Sequence, residues 1–411
     1  MTRTIQTQPP STASDAYLTM NDTSWLEIDL SGLEANLAAV RRLVGDGVKV
    51  CGVVKAGGYG LGAVPIATRL AARGIDMLAV YSPQQGAELV QRGVTCPLLV
   101  LMPMRQLTRA DPLYRAATSG NLHLTVHDES QIIQLNQAGQ LLGCRLPVHL
   151  HLDTGMSRSG LDRAQLGRII TSASALRHVR LAGLYTHFAS ADDDPAFTAD
   201  QMDRLGQAVA EHRAALPSDI MVHAANTCGT WRDARFHQSM VRVGLALLGY
   251  GPESMRGDPL PQDRPALQPI IRWLTRIVHV QRYAKGEPVG YNRTHTLTRD
   301  SVLGVVPVGY GDGYPLSLGN RAHAQVVLSP DDRCATAVLG QVNMDQIVLD
   351  LTDAPVAAQR IGTTVELISN DPGSPCALPR LAELAGSSCY EMLCRISSQL
   401  PRRHVGTEQS R

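Results

Sequence analysis

The chain has 411 residues, enough for one to three domains and a large core, and its 44% apolar and 18% charged content is that of an ordinary globular protein. A formal net charge of +1 gives no electrostatic case for binding nucleic acid or membrane, and no apolar run reaches membrane-spanning length. The eight cysteines are scattered with no CxxC pair, which argues against a zinc ribbon or a disulfide framework and fits a reducing, cytoplasmic compartment.

Residues 1–22 are rich in Thr, Ser, Gln and Pro, lack an apolar signal core, and read as a disordered leader. Trp25 to Leu30 alternates as a strand does, and Ser31 is placed to cap a helix running to Leu43. A βα rhythm follows. Strands are predicted at Lys49–Val54, Met77–Val80, Leu98–Leu101, Leu122–Val126, Pro147–Leu152, Val179–Tyr185, Ile220–His223 and Met240–Leu245. Helical periodicity marks Pro65–Arg73, Pro83–Gln91, Glu129–Leu142 and Asp200–Ala214 between them. Eight strands with their helices predict a (β/α)8 TIM-type barrel over residues 23–265. The rival, a doubly wound open sheet, lacks a GxGxxG after its first strand.

From about Leu267 the rhythm changes. Ile270–Val280, Ser301–Val308, Ala324–Leu328, Cys334–Val342, Gln346–Leu351 and Thr364–Ile368 are strand-like, and only Leu378–Ala385 and Glu391–Ile396 read as helical. Residues 266–411 are therefore expected to form a mostly β C-terminal domain.

Barrel enzymes place their chemistry at the C-terminal ends of the strands. Lys55 directly follows the first barrel strand, and four glycines follow it within Ala56–Gly62. A partly desolvated lysine there has a freed amine for attack on a carbonyl, and glycines let backbone approach a bulky anion. The alternative is a solvated lysine on a glycine-rich turn. Arg158, His187, His223, Asn226, Thr227 and Arg242 fall at or after later strand ends. Singly, each reads as a surface ion pair or a hydrogen-bonded core residue; their joint placement on one barrel face does not. Asn226, Thr227, Gly244 and Leu245 lie after the seventh and in the eighth strand, where barrels commonly bind phosphate. A Schiff-base lysine with a phosphate site points to pyridoxal 5'-phosphate.

The stretches VVKAGGYGLG, LDTGMSRSGL, GLYTHFASAD, HAANT, VRVGLALLGYGP, EPVGYN, VPVGYGDGYP, GQVNMDQIVLDLT and YEMLCRI are similar to motifs of the alanine racemase family over most of residues 24–404. The resemblance implies a homodimer with shared active sites that interconverts L- and D-alanine by a two-base mechanism. Lys55 would hold the cofactor and serve as one base; Tyr291, reaching in from the partner subunit, would be the other. Arg158 and the backbone N–H of Met344, beside Asp345, would hold the substrate carboxylate. Arg242 would face the pyridine nitrogen with His187 packed by it, and Tyr59, Asn226, Thr227 and Tyr390 would sit on the phosphate side. Tyr310 and Tyr314 would stand near the active-site mouth. An arginine at the ring nitrogen discourages ring protonation and so limits drain into transamination. A tyrosine of ordinary pKa about 10 needs tuning to act as a base, which the His187–Arg242 pair would supply.

Three departures stand out. Gly57, Gly58 and Leu61 replace three positions of the family's Asn-Ala-Tyr-Gly-His pattern, His151 stands where many members carry a carbamylated lysine, and Asn292-Arg293-Thr294-His295 is unusually polar. They leave open a broader serine or basic amino-acid racemase, and how Arg158 is oriented: by His151, a chloride or another carboxylate. A decarboxylase of the same architecture is disfavoured by Arg242 at the pyridine-nitrogen position, and a non-catalytic cofactor-binding protein by the presence of the β domain.

Overall fold

The structure, a computed structural model, describes residues 23–251, 264–329 and 331–406; the expected leader lies outside them. Strands β1 (Ser24–Asp29), β2 (Lys49–Val53), β3 (Met77–Val80), β4 (Leu98–Val100), β5 (Leu122–Val126), β6 (Leu146–His151), β7 (Val179–Tyr185), β8 (Met221–His223) and β9 (Met240–Val243) occupy the first part. β2 to β9 form one parallel sheet in the order β8-β7-β6-β5-β4-β3-β2-β9. The seam between β8 and β9 is closed by the Ser239 N–H to Val222 O (2.9 Å) and the Arg242 N–H to Ala225 O (2.9 Å). The result is the expected (β/α)8 barrel.

Helices cover the outside, so the barrel strands are buried on both faces and read as nearly continuous apolar runs. Every residue of β3, β4, β5, β6 and β9 is buried. Outward residues such as Val50, Leu78, Leu124, Val148 and Leu184 join the main apolar core with the helices. The floor of the barrel interior is a separate apolar cluster of Cys51, Met77, Ala79, Leu99 and Met240. Above it the inward positions are polar, and there the site is built.

The β domain contains β10 (Ile271–Arg276), β11 (His279–Tyr283), β12 (Pro288–Val289), β13 (His295–Thr296), β14 (Ser301–Val306), β15 (His323–Val327), β16 (Arg333–Leu339), β17 (Ile347–Asp350), β18 (Thr364–Ile368) and β19 (Arg402–Val405). Nine strands form one sheet in the order β11-β14-β17-β16-β15-β18-β10-β1-β19, while β12 and β13 make a small hairpin.

Three local expectations are corrected. β1, counted by sequence with the barrel residues 23–265, is hydrogen-bonded into the β sheet, antiparallel to β10 and parallel to β19. The helix after it is capped by Asp29, whose carboxylate accepts from the Ser31 N–H (2.8 Å), rather than by Ser31. The run Ile270–Val280 is two strands: at Ile277 and Val278 the backbone N–H groups change partners from Thr363 O to Val305 O, turning the chain from one side of the sheet to the other.

Candidate active site

Val53 ends β2 and Lys55 begins a turn unlike an ordinary βα connection. Ala56, Gly57, Gly58, Tyr59 and Gly60 all have positive φ, between 53° and 82°, so the chain makes a left-handed turn closed by the Gly58 N–H to Val54 O (3.0 Å) and the Gly60 N–H to Ala56 O (2.8 Å). Ala56 and Tyr59 carry side chains in that region, a strained arrangement of the kind that gathers at functional sites. The turn leaves Lys55 solvent-accessible and turns the Tyr59 ring inward, where it is buried. Partial burial, then the charges of Arg158 and Arg242, hold the Lys55 ammonium below the usual lysine value.

Arg242, on β9, is buried at 5% exposure, and its described partners are all uncharged. Its guanidinium donates to His223 Nδ1 (2.8 Å), His187 Nδ1 (3.1 Å), Thr186 O (3.0 Å) and Ala224 O (3.1 Å), and lies 5.0 Å from the centre of the Tyr185 ring. Burial, with Arg242 next, keeps His223 and His187 well below the ordinary histidine range and hence neutral. An arginine can only donate, so His223 Nδ1 accepts and its Nε2 carries the proton. That proton is donated to His149 Nδ1 (2.8 Å), and His149 Nε2–H in turn donates to His123 Nδ1 (2.8 Å). A polarised line of neutral imidazoles thus runs from Arg242 across the barrel interior. Gly183 makes room for it, since a Cβ there would overlap the His149 ring.

The same logic makes His187 an Nε2–H donor, with Nδ1 turned to Arg242. Sequence reasoning singled out His187 and Arg242 but did not see that His123, His149 and Tyr185 belong to this assembly. The signal was present in β5 and β6. His123, Thr125 and His127, and likewise His149 and His151, alternate with Leu and Val, the period-two pattern of a polar barrel interior.

His151 bonds to His127 (Nδ1 to Nδ1, 3.2 Å) and stacks on Tyr185, with ring centres 4.4 Å apart and planes 5° apart. Its hydrogen bond goes to His127, not to Arg158. Burial, followed by His127 and Arg242, lowers His151 to about 3, so it adds no positive charge beside Arg158. Arg158 is exposed on a loop folded around Asp153, whose Oδ1 accepts from the N–H groups of Gly155 (2.9 Å), Met156 (2.9 Å) and Ser157 (3.2 Å).

On the opposite side of Lys55, Asn226 caps the short helix Thr227–Arg232 by accepting from the Gly229 N–H (2.9 Å). Thr227 Oγ1 takes the N–H groups of Gly244 (3.4 Å) and Ala246 (3.2 Å), drawing the loop of Gly244 and Leu245 against the helix. Gly244 has to be glycine, because a Cβ would overlap the Tyr59 hydroxyl. Tyr390, half-exposed near the start of the helix Cys389–Arg395, faces Tyr59 with ring centres 5.9 Å apart. Thr227, Gly244, Tyr59 and Tyr390 thus lie together.

The β-domain residues form a second group. Tyr291 (69% exposed), Met344 (56%) and Tyr310 (45%) are among the most exposed large apolar side chains, and Asp345 is exposed beside them. The Tyr310 N–H bonds to Asn343 O (3.0 Å) and the Gly311 N–H to Met344 O (2.9 Å), which joins their two loops. Tyr314, expected at the mouth, is instead fully buried and packs against Trp273 at 6.1 Å.

A barrel with an accessible lysine of lowered pKa and a buried arginine at its mouth, joined to a β domain with an exposed tyrosine, is the framework of a barrel enzyme. Family comparison makes it specific. Residues 28–252 match the alanine racemase N-terminal domain and residues 270–404 the alanine racemase C-terminal domain. The alanine racemase of Symbiobacterium thermophilum is 36% identical, covering 93% of this chain and 97% of the relative; that of Halothermothrix orenii is 33% identical, covering 93% and 96%. Among solved structures, the alanine racemase of Streptomyces coelicolor superposes with a TM-score of 0.81 at 29% identity, covering 94% of this chain and 98% of that one. The Bartonella henselae alanine racemase, described with covalently bound pyridoxal phosphate, has a TM-score of 0.76 at 24% identity, with 93% and 99% covered. The chain belongs to the alanine racemase family, whose activity is the isomerisation of alanine.

Proposed function

We propose that the chain works as a pyridoxal 5'-phosphate-dependent alanine racemase, a cytoplasmic homodimer in which each active site joins Lys55 of one copy to Tyr291 of the other. The observation that carries this reading is the barrel mouth itself: Lys55, Arg158 and Arg242 share it, and among the described residues no carboxylate bonds to Arg242. A cationic site with an available amine, beside a loop drawn against a helix start by Thr227, fits an anionic aldehyde.

When bound, the cofactor supplies an electron-withdrawing ring that stabilises negative charge at the substrate Cα. Lys55 holds it through the amine and moves a proton on one face of Cα. Tyr59, Asn226, Thr227, Gly244, Leu245 and Tyr390 would hold its phosphate side, and Arg242 would serve the ring nitrogen. Arg158 and the Met344 N–H, next to Asp345, orient the substrate carboxylate, with Tyr310 at the mouth. His187 keeps Nδ1 on Arg242, so its Nε2–H is available to steady the phenolate of Tyr291 as that residue moves the proton on the other face. Tyr291 and Met344 are exposed in one chain, as groups serving a neighbouring copy would be.

Purified protein incubated with pyridoxal 5'-phosphate and reduced with borohydride should carry the pyridoxyl group on Lys55 by mass spectrometry; its appearance on another lysine would overturn the assignment. Parallel racemisation assays with alanine, serine, lysine and arginine should show alanine as the preferred substrate.

A further inference from the structure

Tyr291 is 69% exposed, so its backbone does more than packing to fix its ring. Gly290 (φ 68°), Asn292 (φ 55°) and Arg293 (φ 51°) surround it in the left-handed region, two of them with side chains. Residues with side chains are strained there and persist only where neighbours over-determine them. The β12–β13 hairpin supports the base of this turn through Val289 and Leu297, which pack with Leu303 and Leu339. The tip is held by amides.

Asn320 does most of that holding. It is itself left-handed at φ 58° and lies on a different loop. Its Oδ1 accepts from the Gly340 N–H (2.7 Å), which fixes the amide's orientation because a backbone N–H can only donate. Its Nδ2 must then donate, and it does so to Thr294 Oγ1 (3.0 Å) in the Tyr291 turn. Gly340 opens the loop that continues through Gln341 to Met344, and Gln341 Oε1 accepts from Asn292 Nδ2 at 3.4 Å, a second and weaker tie. One short amide thus joins the Tyr291 turn to the Met344 loop. Asparagine suits the place, since it tolerates the left-handed region and has a donor and an acceptor close to the backbone.

We propose that Asn320 is a positioning residue for proton transfer by Tyr291, a clamp that sets the tyrosine's reach relative to Met344. The inference rests on Tyr291 being the second base, as proposed above. Its reach extends to one enantiomer: loosening the clamp should weaken proton removal from L-alanine, while removal from D-alanine by Lys55 continues.

The test uses the intact dimeric holoenzyme, three single variants and one double variant that combines the first two. Asn320→Gly keeps the left-handed backbone and removes the amide, Thr294→Val removes the clamp's acceptor, and Tyr291→Phe is the control. Deuterium wash-in at Cα is followed separately for L- and D-alanine in heavy water, and peptide-level hydrogen exchange over residues 288–297 is followed in the cofactor-free protein. Asn320→Gly and Thr294→Val should each slow L-alanine exchange about 10-fold, leave D-alanine exchange within about 2-fold, and raise hydrogen exchange in the peptide. The double variant should be no slower than either single one, because both break the same bond. Equal losses for both enantiomers, an unchanged peptide, or additive losses would overturn the clamp. If Tyr291→Phe itself spares L-alanine exchange, the two-base reading fails instead, and the two failures are distinguishable.

Discussion

The two halves of the proposed site are held in opposite ways. On the barrel, Arg242, His187, His223 and His149 are interior groups locked by short, directional hydrogen bonds, and burial holds the three histidines well below their ordinary range. On the β domain, Tyr291, Tyr310 and Met344 are exposed, and left-handed turns with amide ties hold them instead of packing. The barrel half is preorganised within one chain. The β-domain half presents an exposed surface that, in the proposed dimer, would gain its chemistry against a second copy. Buried polar groups can be positioned by a fold's own core, whereas a group lent to a neighbour must stay outside that core and be aimed by its backbone.

The sharpest way to break this comparison is to disable one half at a time. Lys55→Ala should lower racemisation by roughly 10³-fold or more, since the cofactor's anchor and one base go together. Tyr291→Phe should lower it by about 10²-fold, the scale of losing one positioned base. Mixing the two inactive variants should restore activity through heterodimers holding one intact site; heterodimers without activity would show that each site is built within a single chain.

Acid should separate the halves by stability. His123 is lowered to about 4 and His151 to about 3, chiefly by burial, so both stay neutral in the folded chain while an unfolded chain protonates them near 6.5. Below about pH 6.5 the unfolded state therefore binds more protons, and stability falls with pH until each folded pKa is reached. Each such group contributes a loss of up to about 1.4 kcal/mol per pH unit. Denaturant titrations at pH 7.5, 6.5 and 5.5 should show this decline, and hydrogen exchange should place the earliest opening in β5 and β6. A flat profile would mean the interior histidines are already charged.

The smallest effect tests packing at the phosphate side. Gly244→Ala should destabilise by about 1–3 kcal/mol, because the new methyl meets the Tyr59 hydroxyl. Gly206→Ala is the matched control. A Cβ there meets nothing within 4 Å in the middle of the helix Pro195–Glu211, so it should stabilise by up to about 1 kcal/mol. Thermal unfolding of the two variants reads the contrast directly.

Local pattern by itself determined the barrel. Apolar runs buried on both faces announce their own length, and Met77–Val80, Leu122–Val126 and Val179–Tyr185 begin and end where periodicity places them. The helices Pro83–Gln91, Glu129–Leu142 and Leu378–Ala385 do so as well. Strand-end placement likewise brought out Lys55, His187 and Arg242, because a parallel barrel delivers every strand end to one face. Tertiary structure decided the rest. Nothing in Ser24–Asp29 says whether it joins the sheet that follows it or one completed some 250 residues later, and β19, with Arg402, Arg403 and His404, has too polar a pattern to announce a strand. The imidazole line joins residues 26 and 74 positions apart, and the Asn320 amide meets a turn 26 residues earlier. Hydrogen bonds of that kind depend on where distant backbones converge, and a one-dimensional period carries no record of it.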